Sequence, residues 1–435
     1  MAKRLTTYIL IGLVLGLIAG WATNAALGGE NPTPDQAATL TTIAKWLGLV
    51  TTIFLHFIKM IIAPLVFGTL VVGIAHMGDT GALGRVGLKS LLWFVTASLL
   101  SLTLGLVLVH ILNPGVGLNL PLPATTATTG IDKSAFDPIK IIEHIFPTSI
   151  IDAMAKNDIL QIVVFSVFFG VAITAIGERA APLVKAAEAL TKVMLQVTDY
   201  VMRFAPFAVF AAVAATLVER GPGVIGKLGY FMLCVYIGLA LLWLMLGLLA
   251  WLFVGRRATS LFRYIREPVL VAFSAASSEA AFPRTLEALD RFGVPNKISS
   301  FVLPLGYSFN LDGSMMYMTF ASMFIAQAYG IHLDLGTQVA MLLTLMITSK
   351  GIAGVPRASL VVIAATLGQF NLPEAGLLLV LAVDHFLDMG RSATNVVGNA
   401  VAASVVARWE GQLDPSEPAE IEPQHAPSHG LSGKS

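Results

Sequence analysis

A succession of apolar stretches, each long enough to cross a bilayer, limits this chain more than any other feature. The clearest occupy residues 5–27, 46–74, 88–112, 159–176, 193–217 and 225–254. A spanning helix needs about 20 predominantly apolar residues, so each stretch is expected to run from one membrane face to the other. Composition agrees: 56% of the 435 residues are hydrophobic, 12% are charged, and the mean hydropathy is +0.79, where a soluble domain carries about 25% charged residues. A net charge of +1 gives no handle for nucleic acid. The single cysteine, Cys234, lies inside an apolar run and offers neither a disulfide framework nor a thiolate metal site. Lys3 and Arg4 ahead of an apolar core also fit a secretory signal, but the length of that run and the spans after it favour a retained helix.

Loop charge orients the bundle. Lys3 and Arg4, then Arg85 and Lys89, then Arg256, Arg257, Arg263 and Arg266 fall at alternate loops, and the positive-inside rule places them, with the N-terminus, in the cytoplasm. Residues 113–158 read as a long external excursion, and the polar, Pro-rich residues 408–435 as a disordered cytoplasmic tail.

Between residues 262 and 407 the apolar pattern is interrupted by "SAASSEAAFPR" (274–284), "SFNLDGSMMY" (308–317), "SKGIAGVPR" (349–357) and "HFLDMGRSATNVVGNA" (385–400). Within a membrane, broken helix is tolerated only where it is buried in protein or lines a water-filled cavity. The interruptions also come in pairs, each a Ser/Gly-rich break with a proline followed by a helix with a central polar cluster. Such an internal repeat points to a transporter site near the membrane midplane. Asp384, Asp388, Arg391, Asn395 and Asn399 fall within roughly an 80° arc of one helix. The three charges alone cost about 8 to 10 kcal/mol if turned to lipid, so the stripe is expected to face protein or water.

Each cluster has a functional and a structural reading. The stripe is either a substrate and ion pathway or an ion-pair network in which Asp384 and Asp388 hold Arg391; polar groups inside spans favour the pathway. The planar fork of Arg391 suits a carboxylate. In "NLDG", Gly313 is expected to break the helix and free carbonyl oxygens beside Asn310 and Asp312, giving a hard-cation or proton site; the structural alternative is a helix kink. The hydroxyls and N–H groups of 274–279 can cradle an anion or serve close helix packing.

At these residues the chain resembles the dicarboxylate/amino acid:cation symporters, the family that includes glutamate transporters. The resemblance covers essentially the whole spanning part and is strongest over 272–410, where "SFNLDGS", "SKGIAGVP" and "LDMGRSATNVVGN" occur in order. It implies an all-α polytopic membrane protein with eight transmembrane helices and two re-entrant hairpins, built as an inverted-repeat elevator and assembled as a homotrimer in lipid of the bacterial inner membrane. The implied division is scaffold helices 1 and 2 in 1–87, mobile helix 3 in 88–112, external loop and scaffold helices 4 and 5 in 113–222, a transport domain in 223–407, and a tail in 408–435. The hairpin tips match 274–283 and 349–356.

The resemblance also implies residue roles. Arg391 matches the partner of the substrate's side-chain carboxylate, Asp388 the partner of its ammonium, Asn395 and Ser278 groups at the α-carboxylate, and Ser392 a hydroxyl near the ammonium. Ser277, Ser314 and Val355 complete the implied substrate set. Relatives that carry C4-dicarboxylates usually have serine where this chain has Asp388, so L-glutamate or L-aspartate is the expected cargo and a C4-dicarboxylate the alternative. Gly306, Asn310, Asp312, Asp384 and Asn399 match cation-coupling positions. The chain departs from sodium-coupled relatives in having Asn399 for an aspartate, and Phe94 and Ala97 for a tyrosine and a threonine, although Ser98 is retained. Protons are therefore favoured over sodium, with Asp312, Glu279 and Asp384 as candidate carriers; Met318 stands where animal relatives have a glutamate. His385 is expected to pack rather than relay protons. Arg357 replaces a usually small residue and either binds an anion or reaches external water. No cofactor is implied, and the absence of a nucleophile-elbow pattern around Ser277 and Ser278 argues against an enzyme.

Overall fold

The computed structural model describes residues 2–29, 32–77, 80–117, 143, 145–221, 223–349 and 358–414. Val355, Arg357 and most of the second hairpin tip, the larger part of the 113–158 segment and residues 415–435 lie outside the described residues. Among the described residues there is no strand. The first three apolar runs form α1 (Ala2–Ala26), α2 (Pro34–Met77) and α3 (Thr80–Leu112). Next come α4 (Ile150–Lys156), α5 (Ile159–Ile176), α6 (Ala181–Met202), α7 (Ala205–Arg220) and α8 (Gly223–Val254). The run at 193–217, expected as one span, is divided between α6 and α7. Pro206, in the first turn of α7, has no N–H to give and its ring would meet the carbonyl of Met202, so α6 ends there.

The remainder comprises α9 (Ala258–Ala275), α10 (Phe282–Phe292), α11 (Asn296–Phe309), α12 (Asp312–Ala328), α13 (Leu335–Thr348), α14 (Ala358–Gln369) and α15 (Leu377–Trp409). Five helical segments among the described residues are long and apolar enough to cross a membrane: Thr7–Ala26, Pro34–Ala75, Gly81–Leu112, Ile159–Met202 and Leu228–Ala275.

Two helix pairs that the family resemblance leads one to expect as hairpins, α9 with α10 and α13 with α14, pack arm against arm. The helices beyond the two hairpins differ. After the first hairpin the chain is broken between α11 and α12. After the second it is not: the polar cluster of 385–400 lies inside one continuous helix of 33 residues, as its reading as a helix with a central polar cluster requires. No proline falls within α15, so nothing removes a ladder bond, and its polarity comes from side chains alone. Residues 389–407 of α15 are buried on every side, with α8, α9, α11 and α12 packed around them.

Order also extends past the expected boundary of the tail. Lys89 donates from Nζ to the carbonyl of Trp409 at 2.9 Å and to Glu410 Oε1 at 2.7 Å, and Arg257 donates to the carbonyl of Asp414. The chain is thus held as far as Asp414 by α3 and by the turn before α9.

The first helix is seated by a line of glycines four residues apart. A Cβ added at Gly16 would lie 2.7 Å from the carbonyl oxygen of Phe210, and one at Gly20 would lie 2.8 Å from that of Ala214. Spacing small residues by four lets two helix backbones approach closely, which in lipid supplies much of the attraction between them. Gly16→Leu is expected to cost about 1–3 kcal/mol through overpacking and to lower the thermal midpoint of the detergent-solubilised protein. Leu15→Ala, at a neighbouring position 52% exposed, serves as the neutral control; equal midpoints for the two variants would show that α1 is not seated on α7.

Candidate functional site

The break between α11 and α12 forms the floor of the site. Asn310 (φ −119°, ψ 65°) and Leu311 (φ −98°, ψ 60°) leave the helical region for two residues, and the helix restarts at Asp312. Gly313 is therefore not the breaker that its sequence context suggests. It sits in the first turn of α12, where a Cβ would overlap the carbonyl oxygen of Arg391; its lack of a side chain lets α12 touch the backbone of α15.

Asn310 is fully buried and donates from Nδ2 to Asp312 Oδ2 and to Asn399 Oδ1, both at 3.2 Å. Ser101 of α3 donates to the carbonyl of Asp312 at 2.6 Å. Two glycines keep this cluster tight. A Cβ at Gly306 would overlap Asn399 Oδ1, and one at Gly398 would overlap Asp312 Oδ2. Asn310 Oδ1 and Asn399 Nδ2 are buried without a hydrogen-bond partner among the described residues, a state that costs about 1–3 kcal/mol per group. Phe94 lies against Gly306 from the α3 side, Ala97 is buried, and Met318 is buried at 1% exposure.

The stripe on α15 faces this floor. Asp384 accepts the hydroxyl of Tyr317 at 2.6 Å. Arg391 donates from Nε to Asp388 Oδ1 at 2.6 Å, and its guanidinium carbon lies 5.1 Å from the centre of the Tyr317 ring, within cation–π range. Ser392 donates to the same Asp388 oxygen at 3.1 Å. Arg391 is buried, and its Nη1 has no partner among the described residues. Asp388 is the more open of the two, with 22% of its side chain exposed. Asn395 Oδ1 accepts the N–H groups of Gly313 at 2.9 Å and Ser314 at 3.3 Å, while its Nδ2 donates to Ser314 Oγ at 3.2 Å. Both readings of the stripe are thus represented: Asp388 and Arg391 form an ion pair, the asparagines bond across helices, and one arm of the guanidinium is left over.

The first hairpin turns in a tight, partly strained loop. Ala276 adopts a left-handed conformation (φ 48°, ψ 39°), with Ser277 N–H bonded to Ala272 O at 3.1 Å, a helix ending that usually takes glycine. Ser277 Oγ accepts Ala280 N–H at 3.3 Å, and Ser278 opens the short 3-10 turn Glu279–Ala281. Both arms pack on α15, yet neither serine is hydrogen-bonded to the stripe among the described residues. Of the residues singled out from sequence, Asp388, Arg391 and Ser392 form one contact group, Asn395 and Ser314 a second, and Gly306, Asn310, Asp312 and Asn399 a third. Asp384 joins through Tyr317. His385 is half-buried beside Phe386, its ring centroid 6.1 Å away, off the stripe.

Tyr317 and Ser101 were not identifiable from sequence as members of the site. The one available signal for Tyr317 was a phenol in a helix expected to be buried, since a buried hydroxyl needs a partner. Thr394, whose Cβ lies against Gly313, accepts Trp243 Nε1–H at 2.7 Å, which ties the helix to α8.

Known proteins match nearly the whole chain. The profile of the sodium:dicarboxylate symporter family covers residues 5–409. A proton/glutamate-aspartate symporter of Escherichia coli is 41% identical over 371 residues, 83% of this chain and 85% of its own length. A proton/sodium-glutamate symport protein of Geobacillus stearothermophilus is 38% identical over 412 residues, 93% and 94% of the two chains. A C4-dicarboxylate transport protein of Anaeromyxobacter is 37% identical over 444 residues, 98% and 96%. With a profile that spans the fold and relatives at this identity and coverage, the chain belongs to the sodium:dicarboxylate symporter family, a family of membrane transporters rather than enzymes.

Proposed function

We propose that the protein is a secondary active symporter that imports L-glutamate and L-aspartate with protons. The observation that carries this reading is the pairing of Asp388 with Arg391 on a buried helix, with Arg391 Nη1 left without a partner among the described residues. An acidic amino acid carries two carboxylates and one ammonium. Arg391 can turn its fork onto the side-chain carboxylate, while Asp388, released from the arginine, takes the ammonium. Ser392 stays within reach of Asp388, and Asn395, Ser314 and the hairpin serines Ser277 and Ser278 are proposed to receive the α-carboxylate. The names of the glutamate and glutamate-aspartate relatives support this reading; the dicarboxylate relative supports the alternative of a proton-coupled C4-dicarboxylate symporter.

For coupling, the floor offers one carboxylate, Asp312, among neutral amides and glycine-bared backbone. A single charge with Asn399 as its neighbour suits a proton better than a bare sodium ion, which favours more oxygen charge around it. The proposed architecture counts eight membrane segments as α1, α2, α3, α4 with α5, α6 with α7, α8, α11 with α12, and α15, with re-entrant hairpins α9–α10 and α13–α14. Helices α3 and α8 to α15 move as a unit past α1, α2 and α4 to α7, both termini face the cytoplasm, and three copies assemble.

Proteoliposomes given an inside-alkaline pH gradient without sodium are expected to concentrate labelled L-glutamate, with little inhibition by excess succinate. Accumulation of succinate but not of glutamate under the same gradient would transfer the protein to the alternative reading. Asp388→Ser is expected to weaken glutamate uptake at least tenfold, about 1.4 kcal/mol or more, and to spare or improve succinate uptake; parallel loss of both would remove the ammonium role. Gly398→Ala, whose methyl group displaces the Asp312 carboxylate, is expected to abolish gradient-driven accumulation in a protein that still elutes as the folded form, and unchanged accumulation would dissociate Asp312 from coupling.

A further inference from the structure

Arg284, one residue past the proline of the first hairpin, lies among carboxylates from three helices. Its Nη2 is 2.5 Å from Asp199 Oδ1 on α6, its Nη1 2.9 Å from Glu287 Oε2 on α10, and its Nε 3.8 Å from Glu267 Oε1 on α9. Glu287 also receives Arg291 at 3.1 Å. None of these groups belongs to the stripe on α15. Two of the three acids sit on the same hairpin as Arg284, so they stay with it wherever the hairpin goes. Asp199 does not: α6 packs along α2, among the helices that the proposed function holds fixed.

We propose that the Asp199–Arg284 ion pair is a releasable latch between the first hairpin and α6, one that sets how readily the hairpin unit leaves the arrangement seen here. The inference rests on the proposed division into moving and fixed helices. The surroundings of the pair suit release. The Arg284 side chain is only 14% exposed, and stripping a buried guanidinium of every counter-charge is costly. Glu287 and Glu267 prevent that, because they remain beside it after Asp199 departs. The Asp199 side chain is 47% exposed, so water takes over its carboxylate. Opening therefore exchanges one partner for solvent and leaves no orphaned charge. A partly exposed pair of this kind shifts an equilibrium by about two- to fivefold and weakens as salt rises. Glu287 and Asp199 compete for the same guanidinium, so removing one tightens the hold of the other.

That competition gives the test a sign in each direction. Spin labels on Gln196→Cys in α6 and Asp290→Cys in α10, both at exposed positions, report the separation of the two helices in the reconstituted full-length protein; the native Cys234 is buried and stays unlabelled. Asp199→Asn is expected to reduce the short-distance population relative to the rest by about two- to fivefold, and added salt to move it the same way. Glu287→Gln is expected to increase that population. Distances that ignore all three changes, or a Glu287→Gln shift in the same direction as Asp199→Asn, would overturn the latch, the second by reducing it to general loosening. The separation is read without cargo, so a failure of the proposed transport activity would appear in uptake and leave the distance result standing.

Discussion

Asn395 accepts the N–H groups of Gly313 and Ser314 and so closes the start of a helix to which it does not belong. The first N–H groups of any helix lack partners within it, and in a membrane no water is at hand to satisfy them. Leu311, at the N-cap position of α12, has no side-chain oxygen to offer. A carboxamide from α15 takes the part that serine or aspartate plays in a soluble helix, and in doing so sets the register between the two helices. The cross-helix polar contacts depend on that register: Tyr317 meets Asp384, its ring lies by Arg391, and Asn310 meets Asn399.

Such closeness is possible only because side chains are missing at selected points. Gly313 lies on the carbonyl of Arg391, Gly398 on the carboxylate of Asp312, and Gly306 on the amide of Asn399. The same device seats α1 on α7 through Gly16 and Gly20, far from the polar floor. Where lipid replaces water, apolar side chains gain little by meeting each other, and backbone approach becomes the stronger cement. The glycines at the site therefore serve packing and chemistry at once: they fix the distances at which the amides and Asp312 meet.

The sequence made the spans and the stripe legible because both depend on periodicity along one chain. Apolar runs predicted α1, α2, α3, α5 and α8, and the 3.6-residue repeat placed Asp384 to Asn399 on one face of α15. The features that stayed hidden depend on neighbours. Residues 193–217 read as one apolar run despite Gln196, Asp199 and Arg203, and the separation of α6 from α7 turns on one proline meeting one carbonyl. Gly313 looked like the break because glycine commonly accompanies one; the structure puts the break at Asn310 and Leu311. Tyr317 and Ser101 act across helices at 2.6 Å, a relation that no spacing rule records. The anchoring of residues 410–414 depends on Lys89 and Arg257, more than 150 positions distant in sequence.

Charge balance links the two halves of the proposed site. Asp388 and Arg391 neutralise each other before cargo arrives. Glutamate adds one net negative charge and succinate two, and burying an uncompensated charge away from water is expensive. A unit that is to cross the membrane at the same charge loaded as empty must take up one proton with glutamate and two with succinate. Asp388 matters to that count: with an ammonium in the cargo it gains a counter-ion as the arginine turns away, whereas with succinate it faces a second carboxylate and must itself be protonated or displaced. The proposed preference for an amino acid and the proposed use of protons are in this sense one electrostatic argument, set by a single aspartate three residues before a single arginine.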